Sequence, residues 1–109
     1  MDECHNMGGN DFVWDDDKAA RNHAKHGIGF HEAVTIFVDP LLVRLLDVSR
    51  IDGVVGAAIG RDPYARLLVV VYRRCHGDRI RIVAARRATA GEEKLHAQRI
   101  MQNAADDMK

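Results

Sequence analysis

Leu67-Leu68-Val69-Val70-Val71-Tyr72 is an unbroken run of six apolar residues, and no other stretch limits the fold of this chain as strongly. A half-buried strand alternates apolar with polar side chains. An unbroken run of strand length needs cover on both faces. It is far too short to span a membrane. Asp62-Pro63 ahead of it is a turn signal. The run is therefore the expected central strand of a sheet with other elements packed on either side. With 109 residues, the chain can enclose one such core, so residues 1–109 are expected to form a single domain.

The flanking sequence supplies the remaining elements. Asp15 is a good N-cap, followed by Asp16 and Asp17 at the positive end of a helix dipole. Lys25 and His26 fall in that helix's last turn, and Gly27 sits where a left-handed residue ends it. Gly29 opens a second helix whose buried stripe is Phe30, Ala33, Val34 and Phe37. Asp39-Pro40 stops it. Phe12 and Trp14 read as a hydrophobic staple ahead of the first helix. Further strands are expected near Leu41–Leu46, between Val54 and Gly60, and over Arg79–Ala85, the last after a turn at His76-Gly77-Asp78. In that last strand Ile80, Ile82 and Ala84 point to the core, while Arg79, Arg81 and Val83 point away. Thr89 and Glu92 form a capping box that starts a C-terminal helix with Ala97, Ile100, Met101 and Ala104 as its buried stripe. His23, His31 and His96 are expected on helix surfaces. Residues 1–10 read as a loose lead-in and 105–109 as a frayed tail. The expected class is α+β: two N-terminal helices, an antiparallel sheet of about four strands, and a C-terminal helix.

Charge is balanced overall but divided along the chain. Residues 1–60 carry five Lys/Arg against ten Asp/Glu, and residues 61–109 carry eleven against six. The second half holds Arg61, Arg66, Arg73, Arg74, Arg79, Arg81, Arg86 and Arg87 with no lysine among them. Guanidinium groups grip phosphate through a bidentate fork, so nucleic acid is one partner this pattern suits. A solvated sheet face with arginines salt-bridged to Asp78, Glu92 or Glu93 is the other reading. Cys4 and Cys75, in a chain without an export signal, are expected to be reduced thiols in a cytoplasmic protein. Cys4-His5 and Cys75-His76 lack the gaps usual between zinc ligands, and no metal or cofactor is expected. No P-loop or dinucleotide fingerprint occurs.

The blocks Phe12-Val13-Trp14-Asp15, Lys25-His26-Gly27-Ile28, Phe30-His31-Glu32-Ala33, Asp39-Pro40, Ile59-Gly60-Arg61, Leu67 to Tyr72, and Asp78 to Ile82 into Ala85-Arg86-Arg87-Ala88-Thr89 resemble, in order and spacing, the BrnT toxin family. The resemblance covers about residues 12–95. It implies the ribonuclease half of a bacterial type II toxin–antitoxin pair, a fold like that of RelE-type toxins, and a lysine important to toxicity at Lys25. It also implies a BrnA-type antitoxin partner in a 2:2 heterotetramer. DNA would then be contacted only through the antitoxin, and no membrane is involved.

Metal-independent RNA cleavage needs a base for the 2′-hydroxyl proton, cations for the phosphorane, and an acid for the leaving 5′-oxygen. On this reading the catalytic candidates are Lys25, His26, Arg61, Arg81 and Arg86, with Arg66, Arg79 and Arg87 as RNA-binding residues. Two stretches depart from the family pattern. Ile51 to Ala58 offers Asp52 but no arginine, and Glu92-Glu93-Lys94 leads to His96 where basic residues and a tyrosine are usual. They motivate the alternative of a catalytically decayed module that binds antitoxin and takes part in operon repression.

Overall fold

A computed structural model of the chain describes residues 2–7, 10–45, 55–75 and 79–107. Strands β1 (Asp2–Met7) and β2 (Asn10–Asp15) precede helix α1 (Asp16–His26). One α-turn, α2 (Phe30–Ala33), runs directly into a 3-10 helix at Val34–Val38. Strands β3 (Val43–Arg44), β4 (Val55–Arg61), β5 (Leu67–Arg74) and β6 (Ile80–Arg87) follow, and α3 (Ala90–Asp107) closes the chain. The sheet order is β1-β2-β6-β5-β4-β3. The α+β class and the interior position of the apolar run hold, since β5 lies between β6 and β4.

The sheet differs from expectation in strand number and direction. Phe12-Val13-Trp14 is a strand and not a helix entry, and β2 runs parallel to β6 through the pairs Phe12–Ile80 and Val13–Arg81. Residues Asp2–Met7, read as a loose lead-in, pair antiparallel with β2 along their whole length. The sheet is thus mixed. The strand expected over Leu41–Leu46 is two residues long among the described residues. The expected second helix tightens after one turn because Val34, Thr35, Ile36 and Val38 are β-branched and disfavour a continuing α-helix. The Asp39 amide then donates to the Ile36 carbonyl to end it. Gly60 on β4 permits this packing, because a Cβ there would lie 2.9 Å from Ile36 Cβ.

The helix boundaries follow the capping chemistry. Asp15 Oδ1 accepts from the Asp17 amide at 2.8 Å, and Gly27 takes a left-handed φ of 73°. Glu32 Oε1 accepts from the Gly29 amide at 2.9 Å. At α3 the Thr89 amide donates to Glu92 Oε1 and the Glu92 amide to Thr89 Oγ1.

The main core lies on the sheet face covered by α1, α2 and the 3-10 helix. Phe12, Trp14, Phe30, Ile36, Leu68, Val70, Tyr72 and Ile82 are buried there. Trp14 meets Phe30 edge-on at 6.0 Å, and Phe37 meets Tyr72 at 5.3 Å. A smaller cluster of Ile59, Leu67 and Val69 occupies the opposite face with Leu45 and Ala88. Helix α3 does not bury the stripe assigned to it. Ala97, Met101 and Ala104 are exposed, and the helix is anchored through buried His96, whose Nε2 lies 3.0 Å from the Leu41 carbonyl oxygen. Helical structure continues to Asp107, through most of the expected frayed tail. No helix among the described residues is long and apolar enough to cross a membrane.

Candidate active site

The first helix is placed by one buried polar side chain. Strand β2 pairs with β6 only at Ile80 and Arg81, so β6 has a free edge beyond that point. Asn22, from the middle of α1, fills it. Its Oδ1 accepts from the Ala85 amide at 3.0 Å, and its Nδ2 donates to the Ala85 carbonyl at 2.8 Å and to the Ile28 carbonyl at 3.1 Å. The carboxamide substitutes for the peptide group of a neighbouring strand, and it fixes α1 in rotation and depth against β6.

With Asn22 turned to the strand, Lys18, Arg21 and Lys25 at i, i+3 and i+7 share the adjoining stripe of α1. They form one wall of a groove of about 300 Å³ with His26, and Val83 and Ala84 of β6 form its floor. Lys25 and His26, both candidates from the sequence, are therefore neighbours in one cationic groove. Lys18 and Arg21 were missed. The three-then-four spacing with Lys25 was a readable signal, overlooked because Lys18 follows three aspartates that dominate the local charge.

The floor owes its shape to a β-bulge. Tyr72 pairs with Ile82 but Val71 pairs with Ala84, leaving Val83 as the extra residue. The strand alternation changes phase there. Ala85 is buried, whereas Ala84, expected in the core, is only half-buried and faces the groove. The same phase change brings Arg81 and Arg86 to one face although they are five residues apart. Arg81 pairs with Arg73, and Arg86 with Val69, and the odd-numbered residues of β5 share the face opposite the main core.

The remaining candidates are placed differently. Arg86 has its fork occupied: Nη1 and Nη2 bind the Glu92 carboxylate at 2.6 and 2.8 Å. Arg86, and then the Thr89 capping bonds, hold the Glu92 carboxyl down to about 2, and Glu92 in turn raises the Arg86 guanidinium. Arg66 lies in the β4–β5 turn with Nη2 2.6 Å from Asp62 Oδ2 and 2.7 Å from Glu32 Oε2. Its hydrogen bond to Asp62 raises its pKa, while the Gly29 amide and Arg66 lower that of Glu32. Arg61 donates through Nη1 to the Ala65 carbonyl, and Asp39 Oδ2 holds its amide. Arg61 and Arg66 are thus built into the turn and are not among the residues lining the groove. Arg79 and Arg87 are exposed, just before β6 and at its last residue.

Among the described residues, no three His, Cys, Asp or Glu side chains converge as a metal site. His76, Asp78 and Asp52 lie outside the described residues, as do the side chains of Cys4 and His5. Cys75 is a free thiol.

A family model described as "Ribonuclease toxin, BrnT, of type II toxin-antitoxin system" matches residues 14–92. Among solved structures, the chain is similar to the ribonuclease toxin BrnT of Brucella abortus, determined at 1.1 Å resolution. The two are 20% identical with a TM-score of 0.54, and the match covers 70% of this chain and 92% of the other. At that identity the likeness speaks for the fold. No curated protein matches the chain.

Proposed function

The chain belongs to the BrnT family of ribonuclease toxins of type II toxin–antitoxin systems, and from that premise we propose that it is a metal-independent endoribonuclease acting in the groove between α1 and β6. The observation that carries this reading is the convergence of Lys18, Arg21, Lys25 and His26 on the Val83–Ala84 floor. An RNA strand laid in the groove would meet a wall of three cations with an imidazole at one end.

The chemistry is transfer of phosphorus from the 5′-oxygen to the neighbouring 2′-oxygen. A base removes the 2′-hydroxyl proton, the alkoxide attacks phosphorus, and a 2′,3′-cyclic phosphate forms as the protonated 5′-hydroxyl leaves. Lys25 is assigned to the non-bridging oxygens, where charge builds up in the phosphorane. His26 is assigned a proton-transfer role, for which an imidazole suits either direction. Arg81 adds positive charge from the strand face, and Arg79 and Arg87 extend contact along the RNA backbone. Arg86 serves this site indirectly, by tying the end of β6 to α3.

The partner is a BrnA-type antitoxin, in a 2:2 heterotetramer that represses its own operon and contacts DNA through the antitoxin. Family membership supports the existence of an antitoxin partner. The ion pairs that occupy Arg66 and Arg86 favour a second reading, in which the chain is a decayed toxin kept for antitoxin binding.

Induced expression in a bacterial host separates the two. The nuclease reading expects growth arrest with loss of bulk RNA, relieved by Lys25→Ala and by co-expression of the antitoxin. Normal growth with intact RNA, from a folded and well-expressed wild-type chain, would leave the second reading.

A further inference from the structure

Four large apolar side chains are exposed among the described residues: Val38 (54%), Leu41 (52%), Tyr64 (73%) and Met101 (72%). Scattered singly, they would need no explanation. They are not scattered. Val38 and Arg61 line one hollow of about 450 Å³, and Leu41, Met101 and Arg61 line another of about 420 Å³. Tyr64 stands in the turn whose Ala65 carbonyl accepts from Arg61 Nη1 at 2.9 Å. All four therefore surround a single arginine.

Arg61 is exposed and, among the described residues, stands in no ion pair. With Nη1 bound to a carbonyl, the rest of its fork is open to a carboxylate. Two of the carboxylates beside it are already engaged in fixing the backbone of the patch. Asp39 accepts from the Leu41 amide at 2.9 Å and from the Arg61 amide at 2.8 Å. Asp62 accepts from the Tyr64 amide at 3.0 Å and pairs with Arg66, whose guanidinium lies 5.3 Å from the centre of the Tyr64 ring. Ala65 takes a left-handed φ of 63°, which an L-residue rarely adopts. His96 Nε2 lies 3.0 Å from the Leu41 carbonyl oxygen. A surface held in this way loses little entropy when it is covered.

Tyrosine, methionine and arginine are the residue types enriched where proteins bind proteins. RNA is the poorer occupant, because Asp39, Asp62 and Glu93 line the same two hollows. Neither hollow shares a residue with the α1–β6 groove. We propose that the patch around Arg61 is where the chain docks its antitoxin, through a segment that sets an Asp or Glu between apolar side chains. The carboxylate takes the open fork of Arg61, and the apolar groups fill the two hollows. The proposal rests on the antitoxin partner put forward above and deepens it, by naming the surface and the chemistry that hold it.

The test follows association and dissociation of the purified antitoxin of the chain's own operon on the immobilised full chain. Wild type is compared with Arg61→Glu, Arg61→Lys, Leu41→Asp and Met101→Asp, and Ala20→Glu on α1 is the control. All of these positions are exposed, and circular dichroism checks that each variant keeps its fold. Arg61→Glu should weaken binding about 30-fold or more, chiefly through faster dissociation, as for a charge at the centre of an interface. Arg61→Lys should recover only part of that loss, since a point charge replaces a fork. Leu41→Asp and Met101→Asp should each weaken binding about 10-fold, and Ala20→Glu should leave it unchanged.

If wild type binds the antitoxin and the patch variants bind it as tightly, the inference is wrong and the partner reading stands. If wild type does not bind it at all, both fail together. Two further results would overturn the inference by giving the patch another occupant while antitoxin affinity stays unchanged. One is weaker RNA binding by Arg61→Glu, and the other is a dimer of the chain alone that Met101→Asp dissociates.

Discussion

At the scale of single residues, Asn22 matters most for the site without touching substrate. Three backbone groups, the Ala85 amide and the carbonyls of Ala85 and Ile28, depend on its carboxamide. Leaving a buried donor or acceptor unpaired costs about 1–3 kcal/mol each. Asn22→Ala should therefore destabilise the fold by about 3 kcal/mol or more in urea unfolding. It should also loosen the α1 wall, so cleavage should fall more than the fraction folded explains. An Asn22→Ala protein as stable as wild type would remove Asn22 from this role. Its role was not legible in the sequence, because its partner is 63 positions away and asparagine in a helix is ordinarily a surface residue. Lys25 and Gly27 were legible for the opposite reason: the chemistry of a helix end is local.

At the scale of elements, the junction of β6 and α3 carries a pH signature. Glu92 caps α3 and grips Arg86, and its carboxyl lies at about 2, against an ordinary value of 4.5. A depressed folded pKa means that the unfolded chain binds the proton more readily. The pair's contribution is therefore complete above about 4.5 and is lost as pH falls through about 2. The Arg86 side chain is 41% exposed, so solvent screening keeps the neutral-pH contribution to about 1 kcal/mol. Glu92→Gln should cost about that much at pH 7, and the gap from wild type should close between pH 4.5 and 2. A gap that stays constant over this range would show that the ion pair is not its source. Thr89 and Glu92 were readable as a capping box because both partners lie within one turn. The Val83 bulge was not, since only the pairing with β5 reveals where alternation changes phase. The same limit applies to β2: Phe12-Val13-Trp14 is an apolar run too short to tell a parallel strand from a staple. The stripe assigned to α3 had correct helical spacing, but spacing cannot say whether anything is there to cover it.

At the scale of the molecule, a chain of zero net charge collects cations on one rim. The wall of α1 contributes Lys18, Arg21 and Lys25, which line one groove with His26. The three acidic residues Asp15, Asp16 and Asp17 are absorbed at the helix start, by capping and by the dipole. Sequence halves of opposite charge thus become a folded surface with a local positive field, and that field suits a polyanion. The family is known from its matching model, whereas the proposal that this chain cleaves RNA rests on the groove. The most direct test is cleavage of an end-labelled RNA by the purified protein in excess EDTA, beside the same RNA with a single 2′-deoxy nucleotide at each observed cut. Wild type should cut the first substrate, leave 2′,3′-cyclic phosphate ends and spare each deoxy position, while Lys25→Ala should lose roughly 10²-fold or more in rate, within the range of one electrostatic donor. Cutting that continues at the deoxy positions, or that survives Lys25→Ala at full rate, would contradict 2′-hydroxyl attack in this groove.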